Sequence, residues 1–179
     1  MIGKAACVLL FLVTPAFCLF APIPARADDA MTAAANSFYA VVAAKGISST
    51  GIPDAATRAR LAPLLTSQLN QALAAAASAQ TRFMAKNKGA PRLIEGDIFS
   101  SLFEGPTVWK VNGCNGDNSS ARCSIALTRQ DQSKPAVNWI DTLILVNQGG
   151  WKVEDVAYDA NLSFGNTGTL SQMLKMAQS

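Results

Sequence analysis

"AVNWIDTLILVNQGGWKVEDVAYD", residues 136–159, decides the fold. Apolar and polar residues alternate on both sides of a glycine pair, which reads as two long strands joined by a tight turn. With Gln148 and Gly149 at the centre of that turn, Val146 faces Trp151, Ile144 faces Val153, Thr142 faces Asp155 and Trp139 faces Tyr158. In this register the apolar side chains near the turn (Ile144, Val146, Trp151, Val153) and those further along (Trp139, Val156, Tyr158, together with Asp141) occupy opposite faces. Either the sheet is covered on different faces at its two ends, or a bulge at Glu154-Asp155 restores the phase. Both accounts require a bent, twisted sheet.

Working towards the N-terminus, "TVWKVNGC" (107–114) and "CSIALTR" (123–129) form a second antiparallel pair, joined to the first by the polar "QDQSKP" (130–135). Before them, "NKGAPRLIEGDIFSSLFEGP" (87–106) shows neither period over most of its length and reads as a long connection, a kind of segment that is often functional. Leu61, Leu65, Leu69, Leu73, Ala76, Ala79 and Phe83 or Met84 recur at helical spacing, with Pro63 interrupting. Two helices in tandem are therefore expected, about 54–64 and 66–87, started by Asp54 and Thr66. "AMTAAANSFYAVVAAK" (30–45) is an amphipathic helix stopped by Gly46. Downstream of the strands, a terminal helix begins at about Leu170.

The chain opens with "MIGK", runs uncharged through "AACVLLFLVTPAFCLFA" and reaches "PIPARADD". A positive start, an apolar centre and the small-residue signal Ala25-Arg26-Ala27 describe a secretory leader cleaved between Ala27 and Asp28. Pro15 breaks the apolar run, which falls short of the ~20 residues a membrane span needs. Cys18 follows the bulky Phe17 and Cys7 lies too early, so lipid attachment is not expected either. Residues 28–179 are then the mature protein, one domain of about 150 residues, touching the membrane only through its cleaved leader. Losing Lys4 and Arg26 leaves 13 basic residues against 12 acidic ones. No cluster of Lys and Arg stands out as a face, so no nucleic-acid partner is expected.

An exported chain meets an oxidising compartment, where paired cysteines cross-link. Cys114 and Cys123 bracket the turn formers Asn115 to Ser120 and are expected to close that loop as a disulfide. A zinc site would need further Cys or His ligands, and the chain has no histidine. A redox role favours C-x-x-C beside a helix, which is absent. No metal or cofactor is expected.

Five stretches, "SFYAVV" (37–42), "EGDIFSSLFEGP" (95–106), "NWIDTLILV" (138–146), "GWKVEDVAY" (150–158) and "GTLSQML" (168–174), occur in an order that resembles the nuclear-transport-factor-2-like (cystatin-like) fold. More closely, the chain is similar to a bacterial family of secreted proteins and lipoproteins of unknown function within that fold. The resemblance implies an α+β cone: a curved antiparallel sheet of about four strands packed on N-terminal helices, with a short C-terminal helix and a pocket. It also implies a periplasmic or secreted location, but no agreed activity. Some relatives in the broader group resemble immunity proteins that neutralise toxins, and others in the fold are polyketide cyclases and ketosteroid isomerases that use an acid in the cone.

Without histidine, Ser-His-Asp and Cys-His catalysis are excluded, and proton chemistry falls to carboxylates, lysines, tyrosines and hydroxyls. Asp97 is either a pocket-rim acid or the cap of the short turn "IFSSLF". Asp141, alternating with Trp139 and Leu143, is either a pocket base or a structural acid paired with Arg129, Lys152 or a tyrosine. Glu104 reads as a solvated loop acid, and Asp155 as a bulge or turn residue. With Tyr39, Trp109 and Tyr158, the residues Asp97, Trp139 and Asp141 complete the candidate pocket. Three functions are compatible: a non-catalytic envelope protein binding an unknown small molecule or protein in its cone, an immunity-type protein, or an acid/base enzyme using Asp141 or Asp97.

Overall fold

The computed structural model describes residues 27–44 and 51–178. The leader through Arg26, Lys45 and the Gly46 stop lie outside the described residues, and the expected cleavage point follows the first residue of α1 (Ala27–Ala44). Helix α1 buries Met31, Ala35, Phe38, Tyr39 and Val42, a stripe at spacings of three and four. Asp54 Oδ1 accepts the Thr57 N–H at 2.7 Å and starts α2 (Ala55–Leu61). Pro63 then fits a 3-10 turn (Ala62–Leu64), where its missing N–H breaks no ladder. Thr66 Oγ1 accepts the Leu69 N–H at 3.2 Å and starts α3 (Ser67–Lys86), which buries Leu69, Leu73, Ala76 and Ala79. The helix pair is pinned to the sheet where the Thr66 N–H donates to Val153 O at 2.9 Å.

Strands β1 (Val108–Gly116), β2 (Ser120–Arg129), β3 (Val137–Asn147), β4 (Trp151–Tyr158) and β5 (Gly168–Thr169) form one open antiparallel sheet in that order. The two-residue β5 adds to the four strands expected and leads into α4 (Leu170–Met176), whose N-terminus carries a capping box of Thr169 and Gln172. The fold is thus α+β, with N-terminal helices on one face of the sheet and a short C-terminal helix.

The β3–β4 register differs from the expected one. Asn147 faces Trp151, Val146 faces Lys152 and Leu145 faces Val153, so the pairs Val146–Trp151, Ile144–Val153, Thr142–Asp155 and Trp139–Tyr158 do not form. The turn takes three residues, Gln148 to Gly150, because Gly149 at φ 74° and Gly150 at φ 148° carry the backbone through conformations other residues resist. Further along, Ile144 faces Asp155, which leaves Glu154 as an extra residue. That bulge shifts the phase inside β4: Val153, Val156 and Tyr158 all join Trp139, Asp141, Leu143 and Leu145 on one buried face. Of the two accounts left open by the sequence, the bulge is the one the chain adopts.

A second bulge lies at Asn112, between the Val111–Ile125 and Gly113–Ser124 pairs. Both bulges bend the sheet. Helix α1 touches β1, β2 and β4. With 18 residues and a length of about 27 Å, α1 lies across strands whose outer members stand ~14 Å apart. The core inside that curve is one continuous cluster drawing on α1, α3, the link, all four long strands and α4.

Candidate functional site

Cys114 and Cys123 are bonded and sit directly opposite each other on β1 and β2. The ladder continues past them through Asn115–Arg122 and Gly116–Ala121, so the cross-link lies within the hairpin instead of closing a loop from residue 115 to 122. The true tip is Asp117 to Ser119. There Asp117 Oδ1 accepts the Ser119 and Ser120 N–H groups at 2.7 and 3.0 Å and the Ser119 hydroxyl at 2.6 Å. These bonds, led by the Ser119 hydroxyl, lower the exposed Asp117 carboxyl to about 2.

Asp141 points into the curve of the sheet and is fully buried. Oδ2 accepts the Ser101 N–H at 2.7 Å and the Trp139 indole N–H at 3.0 Å. Oδ1 accepts the Ser101 hydroxyl and, at 3.3 Å, the Asp159 N–H. Four donors fill the acceptor sites of one carboxylate. The expected partners are elsewhere: Arg129 pairs with Asp131 at 3.0 Å and holds the Glu104 carbonyl at 2.8 Å, while Lys152 Nζ donates to Pro63 O. Asp141 therefore ties the irregular link to β3 and to the segment after β4.

Asp97 is also buried, and its carboxylate accepts the Phe99 N–H at 3.2 Å, the turn-capping arrangement. Its backbone N–H donates to Phe103 O at 2.6 Å, folding the link back on itself. Gly96 is required at that fold: its φ is +74° and a Cβ there would fall 2.5 Å from the Phe103 ring. Asn166 Nδ2 donates to the carbonyls of Asp97 and Ser100, both at 2.7 Å, and locks the link from the other side.

Tyr158 is buried and its hydroxyl donates to Ile98 O at 2.7 Å. Burial, then the charges of Asp97, Asp155 and Asp141, raise its pKa far above the ordinary phenol value. Tyr39 stacks on the half-buried Trp109, with ring centroids 6.4 Å apart, and meets Phe38 edge-on. Its hydroxyl is buried with no hydrogen-bond partner among the described residues. Burial first, then Asp141 and Asp97, hold this phenol neutral at any physiological pH.

The structure thus gathers Tyr39, Asp97, Trp139, Asp141 and Tyr158 in the interior, with Trp109 at its edge; Asp97, Trp139, Asp141 and Tyr158 are hydrogen-bonded there, and Tyr39 packs through its ring. Asp141, Tyr39 and Asp97 are 0%, 1% and 2% exposed. Sequence reasoning missed Ser101 and Asn166, which looked like ordinary loop residues; the only hint was the serine pair set among apolar neighbours in a glycine-bounded link. Among the described residues no group of three or more Cys, Asp or Glu could hold a metal ion. Asp155 meets its expectation beside the bulge, its Oδ1 accepting the Ser171 N–H at 2.9 Å, and Glu104 is exposed.

Two of the surface depressions among the described residues are well defined. One, of about 430 Å³, flanks the hairpin tip between Asp117 and Arg122. The other, of about 340 Å³, is lined by Arg58 of α2 and by Ala77, Ser78, Thr81 and Arg82 of α3. No protein-family model matches the chain, and no curated protein or solved structure matches it either.

Proposed function

We propose that this chain is an exported, non-catalytic binding protein that meets its partners at its surface and not inside its cone. The observation that carries the reading is Asp141, the best-placed acid for proton chemistry, fully buried and engaged by four internal donors. A group so engaged has no lone pair directed at a substrate, and Asp97 is likewise engaged as a turn cap. The periplasmic or secreted location is supported by the leader pattern and by the Cys114–Cys123 bond. A nuclear-transport-factor-2-like ancestry is supported by the order of helices, link and curved antiparallel sheet, and a filled interior suits a member whose work is recognition.

The test is a ligand titration followed by NMR. The Trp139 indole N–H, bonded to Asp141, gives a resolved signal from the centre of the interior. Ligands of a surface-binding protein move signals of exposed residues and leave the Trp139 indole in place. A compound that shifts the indole signal on binding, or that is turned over by the wild-type chain and not by Asp141→Asn, would refute the reading.

A further inference from the structure

Between Asp54 and Glu95 the chain carries six cations, Arg58, Arg60, Arg82, Lys86, Lys88 and Arg92, and no carboxylate. The rest of residues 28–179 carries seven cations and 12 acids. Residues 61–81 are uncharged, so along the sequence these cations form no run; folding brings them together. Arg58, near the end of α2, and Arg82, in the fifth turn of α3, line the same groove of about 340 Å³. That volume is at the small end of the roughly 300–1,000 Å³ range of ligand pockets.

At 100° per residue, positions 77, 78, 81 and 82 lie on the side of α3 turned away from the buried Leu69, Leu73, Ala76 and Ala79, so the groove opens to solvent. Lys86 follows Arg82 by one turn on the same face. Arg58 is held in place by one N–H to Pro53 O at 2.5 Å, which leaves its other donors free. Among the described residues neither Arg58 nor Arg82 has a carboxylate partner; the ion pair between Arg129 and Asp131 lies outside this region. Asp54, the acid next in sequence, caps Thr57. The Ser78 and Thr81 hydroxyls donate to Ala74 O and Ala77 O at 3.0 and 2.9 Å, so the guanidinium groups are the groove's available donors. Two like charges facing one groove repel when it is empty, and an anion between them relieves that repulsion.

We propose that the α2–α3 groove binds a phosphate group, with Arg58 and Arg82 clamping its oxygens and Lys86 adding charge at one end. Guanidinium suits this role because its planar fork donates two parallel hydrogen bonds to a tetrahedral oxyanion. The phosphate arrives either free in solution or as the headgroup of a phospholipid. This inference rests on the surface-binding reading above and gives it a ligand class.

The experiment titrates the isotopically labelled full chain with inorganic phosphate at low ionic strength, and sediments it with vesicles of phosphatidylglycerol or of phosphatidylcholine. Saturable shifts at Arg58 and at residues 77–82, weakened at least tenfold in Arg58→Gln/Arg82→Gln and unchanged in the charge-matched control Lys110→Gln/Arg122→Gln, are expected. Binding to phosphatidylglycerol vesicles that is lost in the same variant identifies a lipid headgroup; phosphate saturation without vesicle binding identifies the free anion. Should the double variant lose its fold, Arg82→Gln alone, at an exposed position with no side-chain hydrogen bond among the described residues, carries the test. Shifts scattered over all surface cations, equal binding by variant and control, or no binding in either arm would overturn the proposal. A phosphate that moved the Trp139 indole signal would instead overturn the surface-binding reading.

Discussion

The Ser101 backbone N–H donates to Asp141 Oδ2 at 2.7 Å across 40 residues of sequence. This bond, with the Ser101 hydroxyl on the other oxygen, fastens a segment that has no regular secondary structure to the third strand of the sheet. An irregular link can be buried only if its polar groups find internal partners, and Asp141 supplies two of them.

Truncating Asp141 should therefore act on stability. Asp141→Ala orphans three buried donors and the part-buried Asp159 N–H, and is expected to cost about 4 kcal/mol. Asp141→Asn retains an acceptor for the Ser101 and Trp139 N–H groups and is expected to cost about 2 kcal/mol. Urea unfolding followed by tryptophan fluorescence measures both. Two variants as stable as the parent would show that the carboxylate is not the link's anchor.

Tyr39 predicts the opposite sign. Its hydroxyl is buried without a partner, so Tyr39→Phe removes a desolvated polar group while keeping the ring on Trp109. The variant is expected to gain about 1 kcal/mol, read as a higher urea midpoint. Tyr158→Phe serves as the contrast: it strips Ile98 O of its 2.7 Å donor and should lose about 1–2 kcal/mol. If Tyr39→Phe destabilised as much as Tyr158→Phe, the phenol would have a partner after all.

The hairpin tip carries a pH signature. The Asp117 carboxyl is held at about 2, below its unfolded value, by the Ser119 hydroxyl and the Ser119 and Ser120 N–H groups. A depressed acid favours the folded turn at pH values above its unfolded pKa, and that preference disappears as pH falls through about 2. Amide shifts of Ser119 and Ser120 should titrate together with a midpoint near that value, and Asp117→Asn should abolish the transition. A midpoint in the ordinary carboxylate range would contradict the hydrogen-bonded tip.

Breaking the cross-link should weaken the molecule without unravelling its hairpin. Cys114→Ala/Cys123→Ala is expected to lose roughly 2–3 kcal/mol from the denatured-state entropy of a short loop. The ladder beyond the cysteines, Asn115–Arg122 and Gly116–Ala121, should keep its slow-exchanging amides. Exchange collapse across the whole of β1 and β2 would mean that the bond, and not the ladder, holds the pair together.

Local signals in the sequence translated well into structure. Asp54 and Thr66 cap the helices they are expected to start, Pro63 lies between them, and the last helix begins at the expected Leu170, because each depends on neighbours within three or four residues. The β3–β4 register was misread because a two-residue and a three-residue turn are both consistent with "NQGG", and only Gly150 at φ 148° separates them. Asp141 was visible as an inward acid, but its partners were not, since backbone N–H groups carry no residue signature. Arg58 and Arg82 stand 24 positions apart in the chain and share a groove through helix packing, which no linear charge count can register.

Leu170 and Leu174 of the terminal helix are fully buried in the same cluster as Phe38 of the first. The interior is therefore completed by residues 170–174, and a product lacking them exposes an open greasy surface to proteases and chaperones. Cleavage ahead of Leu170 is therefore the cut the fold should tolerate least.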